Sequence, residues 1–396
     1  MLPFKKLSEV DYRGARVLLR ADLNAPLNHS EEGVRVANDF RIVAALPTIH
    51  MLRDGGAVVV LASHLGRPKG REETFSMRPV ADRLAELGGF EVQQISEVVG
   101  PQVDAALALA QGGDVLLLEN TRFHPGETRN DPQLAEDMAK GIDLFVFDAF
   151  GSAHRSHASI SGVAQHVPSV AGPLVVAEVE AFGTLISDPP RPFTVVLGGA
   201  KVSDKLGVIK ALLPKVDMMV IGGGMCFTLL SAEGFEIGKS LVEPDLVHEV
   251  REILSSADGD RILLPTDITV TERFSEDATP IVVRKNAIES DVMGLDIGPE
   301  SAKNFAKVIR GSGSVFWNGP MGVFEWESFR AGTEAIGKAF RNHAGYTVVG
   351  GGDSVAAISL LRIEDEVSHL STAGGAGLKL LEGAVLPGLQ ALERWK

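Results

Sequence analysis

Short runs of Val, Leu, Ile and Phe recur along the chain, separated by longer segments whose apolar residues return at helical spacing. Runs without alternation mark strands buried on both faces of a parallel sheet, and helical spacing marks the apolar stripe of a covering helix. Strands are predicted over residues 16–20, 57–62, 115–118, 144–147, 194–197, 218–221, 261–264, 314–316 and 347–349. Helices are predicted over 42–53, 78–87, 131–140, 174–187, 205–213, 299–309 and 354–361. This alternation predicts an α/β chain with doubly wound, Rossmann-like parallel sheets. A single closed barrel fits less well, because the pattern breaks at Asp188-Pro189-Pro190-Arg191-Pro192. Prolines so closely spaced stop a helix and make a stiff connector.

Length supports two units, since 396 residues exceed what one hydrophobic core usually organises. The expected division is an N-terminal domain over 1–173, a hinge helix and Pro-rich connector over 174–192, a C-terminal domain over 193–384, and a tail over 385–396. A net charge of -14 argues against a nucleic-acid binder, because no overall basic field collects phosphate backbones. It leaves room for a local basic pocket. The lone cysteine, Cys226, excludes an intrachain disulfide and a Cys-cluster zinc site. The first ten residues carry lysines with no apolar run behind them, and every apolar run is strand-length. No signal peptide and no membrane span are therefore expected, and the cytoplasm is the expected location.

Open parallel sheets bind ligands at the carboxyl ends of their strands. In the N-terminal half those ends carry Arg20-Ala21-Asp22-Leu23-Asn24, Ser63-His64-Leu65-Gly66-Arg67, Glu119-Asn120-Thr121-Arg122-Phe123-His124, and a cluster containing His154, Arg155 and His157. Any one of these is ordinarily a solvated loop charge or a satisfied histidine. Four at one topological position instead predict a pocket for a small anion, which guanidinium groups bind bidentately. In the C-terminal half the strand ends carry Gly198-Gly199-Ala200-Lys201, Gly222-Gly223-Gly224, Asn318-Gly319-Pro320-Met321-Gly322, Gly350-Gly351-Gly352-Asp353-Ser354 and Gly374-Gly375-Ala376-Gly377. Glycine lets backbone approach a ligand, so this succession predicts a nucleotide bed. Asp353 suits either a helix N-cap or a Mg²⁺ ligand beside phosphates, and the preceding glycines favour the metal.

Two common nucleotide motifs are absent. No G-x-G-x-x-G follows a strand, which counts against a dinucleotide-dependent oxidoreductase. Gly234-Phe235-Glu236-Ile237-Gly238-Lys239-Ser240 is one residue short of a P-loop and is read as a coincidence.

The sequence closely resembles phosphoglycerate kinases over nearly its full length. The matching stretches run from Arg16 to Pro26, through Ser63-His64-Leu65-Gly66-Arg67-Pro68, Glu119–His124 and Asp148–Arg155, then Gly198–Lys205, Trp317–Glu325 and Gly350–Ser354. The resemblance implies phosphoryl transfer between 1,3-bisphosphoglycerate and ADP, giving 3-phosphoglycerate and ATP. It implies that Asp22, Leu23, Asn24, Arg41, His64, Leu65, Gly66, Arg67, Arg122 and Arg155 bind 3-phosphoglycerate. It further implies nucleotide contacts from Lys205, Gly222, Gly223, Asn318, Glu325, Gly351, Gly352, Asp353 and Ser354, with Asp353 at Mg²⁺. Arg41, Lys201, Lys205, Gly374 and Gly375 would stabilise the group in transit. A monomer is expected, with residues 386–392 packed back on the N-terminal domain.

The sequence departs from the family pattern at Ala373, Gly377 and Lys379, where glycine, serine and glutamate are usual, and at Phe40, where a polar residue is frequent. None of these removes a group the reaction requires. Intact Arg41, Lys201, Lys205 and Asp353 also argue against a non-catalytic nucleotide sensor.

Overall fold

The computed structural model describes residues 3–30 and 33–395. The chain divides into two compact units, one of residues 1–179 with 385–396 and the other of residues 180–384. The division falls within the helix Pro173–Ser187.

The first unit is built on β1 (Arg16–Ala21), β2 (Val58–Ala62), β3 (Gln93–Gln94), β4 (Val115–Leu117), β5 (Leu144–Asp148) and β6 (Ser169–Ala171). They form one all-parallel sheet in the order β3-β4-β2-β1-β5-β6. Leu18 of β1 lies in register with Val60 on one side and Phe145 on the other. Every residue of β2 and β5 is buried, as the uninterrupted apolar runs require. Because β1 is central and its neighbours connect in opposite directions, the loops after β1, β2, β4 and β5 share one end of the sheet. The final residues return to this unit: Gly388 N donates to Ala153 O at 2.9 Å, and Trp395 Nε1 donates to Ala164 O at 2.7 Å.

The second unit repeats the plan with β7 (Phe193–Leu197), β8 (Met218–Ile221), β9 (Ile262–Leu263), β10 (Ser314–Asn318), β11 (Tyr346–Val349) and β12 (His369–Leu370). Its all-parallel order is β9-β8-β7-β10-β11-β12. Trp317, fully buried in β10, stacks on Phe340 with ring centroids 5.5 Å apart. An antiparallel sheet of Asp267–Thr271, Ile281–Arg284 and Met293–Ile297 was not anticipated, nor was the hairpin Leu27–Ser30 with Gly33–Val36. Ile281 and Val282 are both exposed, so the first of these has no clean inside–outside alternation to read. All the strands and helices that were anticipated are present, with bounds displaced by a residue or two.

Candidate functional sites

In the first unit the polar strand ends are tied together before any ligand is considered. Asn120, fully buried after β4, accepts from Leu65 N and Arg122 N, each at 3.1 Å. Its amide donates to Leu65 O at 2.8 Å and Phe75 O at 2.9 Å. With its amide so fully used, one side chain sets the loop after β2 against the loop after β4. Asn24 Oδ1 accepts from Gly66 N at 2.8 Å, and Arg122 Nη1 donates to Gly66 O.

Within this frame His64 is only 3% exposed and lies between two guanidinium groups. Arg20 Nη2 is 3.0 Å from its Nδ1, and Arg155 Nη1 is 3.1 Å from its Nε2. Burial, then the charges of Arg20, Arg122, Arg155 and Arg41, push the imidazole well below its ordinary pKa, which favours the neutral ring at neutral pH. The crowding of cations acts on the arginines too. Burial, followed by Arg155 and Arg20, pushes the Arg122 guanidinium down to about 10. An anion entering this pocket would relieve the mutual repulsion of its walls. Arg41, near the start of the helix Phe40–Asp54, reaches Asp22 Oδ2 at 2.8 Å, and Arg67 is exposed.

Leu23 and Leu65 fill a different role from the charged residues of the pocket. Both side chains belong to the hydrophobic core, and their N–H groups are taken by Ser63 Oγ at 2.9 Å and by Asn120 Oδ1. Sequence reasoning did not single out Arg20, Ser63, Asn120 or Glu127 as site residues. Arg20, Ser63 and Asn120 stand within the strand-end clusters, but nothing local marks them as buried.

In the second unit the glycine-rich loops wall two adjoining clefts. One, of about 480 Å³, is lined among others by Gly199, Gly223, Gly224, Leu241, Phe274, Leu295, Val323 and Glu325, and is largely apolar. The other, of about 290 Å³, is lined by Lys201, Asp204, Lys205, Asn318, Gly319 and Gly351 to Ser354 among others. Gly199, Ala200 and Asp353 line both. An apolar slot opening onto a polar one with free main-chain groups is the shape a nucleoside phosphate needs.

Close approach explains two of the glycines. A Cβ on Gly223, at φ +66°, would stand 2.6 Å from Gly199 N, and one on Gly319, at φ +97°, 2.4 Å from Gly198 O. Both are main-chain atoms that cannot yield cheaply. Lys205 is 7% exposed, and its Nζ donates to Asn318 O at 2.5 Å. Burial pushes this amine down to about 7, against the pull of Asp353 and Asp204. Ser354 Oγ accepts from Gly319 N at 2.5 Å.

Asp353 is exposed in the first turn of the helix Gly352–Leu361, whose N-cap is Gly351 and receives no side-chain cap bond. Its carboxylate is therefore not committed to capping. No group of three or more His, Cys, Asp or Glu among the described residues could hold a metal alone. Asp353 beside this cleft, which Asp204 also lines, fits Mg²⁺, usually held by one or two carboxylates together with substrate oxygens.

Other expected residues are less directly placed. Gly222 sits behind the cleft wall, where a Cβ would meet Met321 Sδ at 2.6 Å, and it does not line either cleft. Gly374 and Gly375, at the start of the helix Gly375–Leu381, line neither cleft. The apparent P-loop remnant does touch the site, for Lys239 and Ser240 line the larger cleft. Gly234 merely ends the helix Cys226–Glu233, so the segment is no phosphate loop. Gly377 is explained by packing, since a Cβ there would lie 2.5 Å from the Phe182 ring. Lys379 pairs with Glu382 at 2.6 Å.

Two parallel α/β units, one with a guanidinium-lined pocket and the other with glycine-walled clefts, fit a kinase with a small anionic substrate. The phosphoglycerate kinase family model matches residues 7–384. A phosphoglycerate kinase of Moorella thermoacetica is 50% identical over 389 residues, covering 98% of both chains. A cytosolic phosphoglycerate kinase of Triticum aestivum is 47% identical, over 98% of this chain and 97% of its own. The solved structure of phosphoglycerate kinase from Coxiella burnetii superposes with a TM-score of 0.87 at 39% identity, covering both chains completely. The chain belongs to the phosphoglycerate kinase family.

Proposed function

We propose that the pocket of the first unit holds 3-phosphoglycerate or the phosphoglyceroyl part of 1,3-bisphosphoglycerate, and that the clefts of the second hold ADP or ATP. The family reaction passes a phosphoryl group reversibly between 1,3-bisphosphoglycerate and ADP, giving 3-phosphoglycerate and ATP in glycolysis. The observation that carries this assignment is His64, buried between the guanidinium groups of Arg20 and Arg155 with Arg122 and Arg41 nearby, in a pocket whose cations outnumber the carboxylates that answer them, Asp22 and Glu127.

The attacking oxygen is a carboxylate in one direction and an ADP phosphate oxygen in the other. Both are ionised at neutral pH, a carboxylate having a pKa near ~4. No general base is needed. The protein instead aligns the two oxygens and balances charge on the group in transit. Arg41 does this from one unit, and Lys201 and Lys205 from the other, with the N–H groups of Gly374 and Gly375. Asn318 and Gly351 to Ser354 hold the nucleotide phosphates, Glu325 the ribose, and Gly223 the base side of the larger cleft. Asp353 would hold Mg²⁺, which supplies charge neutralisation at the phosphate oxygens.

Since the two substrates belong to different units, we infer a hinge over residues 174–192 that lets bound substrates favour a closed form. A radius of gyration unchanged by 3-phosphoglycerate with nucleotide, in small-angle scattering, would count against it. A monomer in the cytoplasm suits a family with a cytosolic member. Among the described residues no helix is long and apolar enough to cross a membrane. The deciding assay supplies 3-phosphoglycerate and MgATP and couples the acyl phosphate formed to its reduction. No turnover above a chain-free control would overturn the assignment.

A further inference from the structure

Arg20 is the penultimate residue of β1. It is fully buried, and its guanidinium has three partners: Nε donates to Ser159 Oγ at 3.0 Å, Nη1 to Ala21 O, and Nη2 lies 3.0 Å from His64 Nδ1. Its charge is answered by Glu127, also fully buried. Burial pushes that carboxyl up, but bonds from His157 and Ser159 and the charge of Arg20 hold it below the usual range. Ser159 relays between the two, accepting from Arg20 and donating to Glu127 Oε1 at 2.6 Å.

A neutral imidazole has one lone-pair nitrogen and one N–H. Guanidinium nitrogens only donate. Arg20 at Nδ1 and Arg155 at Nε2 therefore cannot both be bonded to the ring of His64. Arg20 has no access to solvent and, among the described residues, no other acceptor for this hydrogen, and leaving a buried charged donor unmade is costly. Arg155 is only partly buried and can turn to another acceptor.

We propose that Arg20 is a positioning residue that fixes His64 as the tautomer protonated at Nε2, so that the ring offers a neutral N–H to the anionic substrate. Arg155 then faces that N–H without bonding to it. A phosphate or carboxylate oxygen between them accepts from both, turning an unfavourable contact into two hydrogen bonds. The selection is for an acceptor, made without adding another charge to a pocket that already holds several. This inference rests on the assignment of His64 to the 3-phosphoglycerate pocket.

The test is NMR of isotope-labelled imidazole nitrogens in the full chain, with His64→Gln used to assign the signal. The expected spectrum shows a neutral His64 with Nδ1 bare and Nε2 protonated from about pH 6 to 8, and an Nε2–H signal that moves when 3-phosphoglycerate is added. A ring that responds to 3-phosphoglycerate but is protonated at Nδ1, or at both nitrogens, overturns the role of Arg20 alone. A ring that ignores 3-phosphoglycerate overturns the donor role together with the assignment of His64 to the pocket.

Kinetics give a second measure that does not depend on the spectrum. Arg20→Lys keeps the charge beside Glu127 but loses the fork. It should raise KM for 3-phosphoglycerate roughly ten-fold, the loss of one modest hydrogen bond, and leave KM for ATP unchanged. A Gln side chain has a fixed donor and no tautomer, so on a His64→Gln background the effect of Arg20→Lys should disappear. An equal penalty on both backgrounds would mean that Arg20 is merely structural.

Discussion

Arg41 and Asp22 form an ion pair, Nη1 to Oδ2 at 2.8 Å, with the arginine side chain 32% exposed and the aspartate 10%. On the proposed assignment, an anionic substrate would replace Asp22 as the partner of this partly exposed guanidinium.

Arg41→Ala should therefore lose turnover more than affinity. Removing charge stabilisation that matters most in the transition state predicts a fall in kcat of ~10²-fold or more, with a smaller change in KM. Steady-state rates in both directions check this. A change confined to KM would assign Arg41 to ground-state binding.

Lys205 links nucleotide binding to pH. Its amine is pushed down to about 7 by burial, far under the ordinary ~10.4. Bound phosphates favour the charged form and raise the pKa again. ADP binding should thus take up a proton above pH about 7, and affinity should fall as pH rises through that value. Below it the lysine is already charged, and this contribution is fully present. Calorimetry in buffers of different ionisation enthalpy measures the uptake, which Lys205→Met should abolish while weakening ADP binding.

Asp148, at the end of β5, accepts from Thr48 Oγ1 at 2.5 Å and from Val175 N at 3.1 Å. It therefore joins the helix bearing Arg41 to the start of the helix Pro173–Ser187. Burial pushes its carboxyl up to about 6, against these bonds and one from Leu174 N. The raised value means that its protonated form favours folding. That contribution is complete below the unfolded pKa and is lost as pH rises through about 6. Relative to Asp148→Asn, the native chain should lose on the order of 2 kcal/mol of unfolding free energy between pH about 4 and 7. Urea denaturation of both proteins across that range is the measurement, and a constant gap would refute the linkage.

Gly223→Ala should damage the nucleotide clefts without unfolding the unit. The new Cβ meets Gly199 N at 2.6 Å and Pro320 O at 2.7 Å, and the left-handed backbone adds strain. ADP affinity should drop by ten-fold or more, since loop displacements of even a fraction of an ångström misplace phosphate donors. Fluorescence or calorimetric titration would show it. Unchanged affinity would place Gly223 outside the binding wall.

The chain's pattern was enough to reveal the alternating parallel architecture, because strands buried on both faces must be continuous apolar runs. It also placed the charged and glycine-rich clusters at strand ends, since a parallel sheet collects those ends on one side. The matching motifs, from Arg16 to Ser354, identified the family reaction. Short edge strands such as Gln93–Gln94 and His369–Leu370 escaped notice, having too few residues to carry a period.

Only tertiary structure separated neighbours within a cluster. Arg20 and Asp22 stand two residues apart, yet Arg20 is fully enclosed while Asp22 reaches Arg41. The partners that enclose it, His64 and Ser159, come from distant loops. The depressed pKa of Lys205 likewise comes from burial beside the smaller cleft, with Asp353 opposing it from a helix far along the chain. Burial and long-range pairing decide the protonation of these groups, and neither is a property of local sequence.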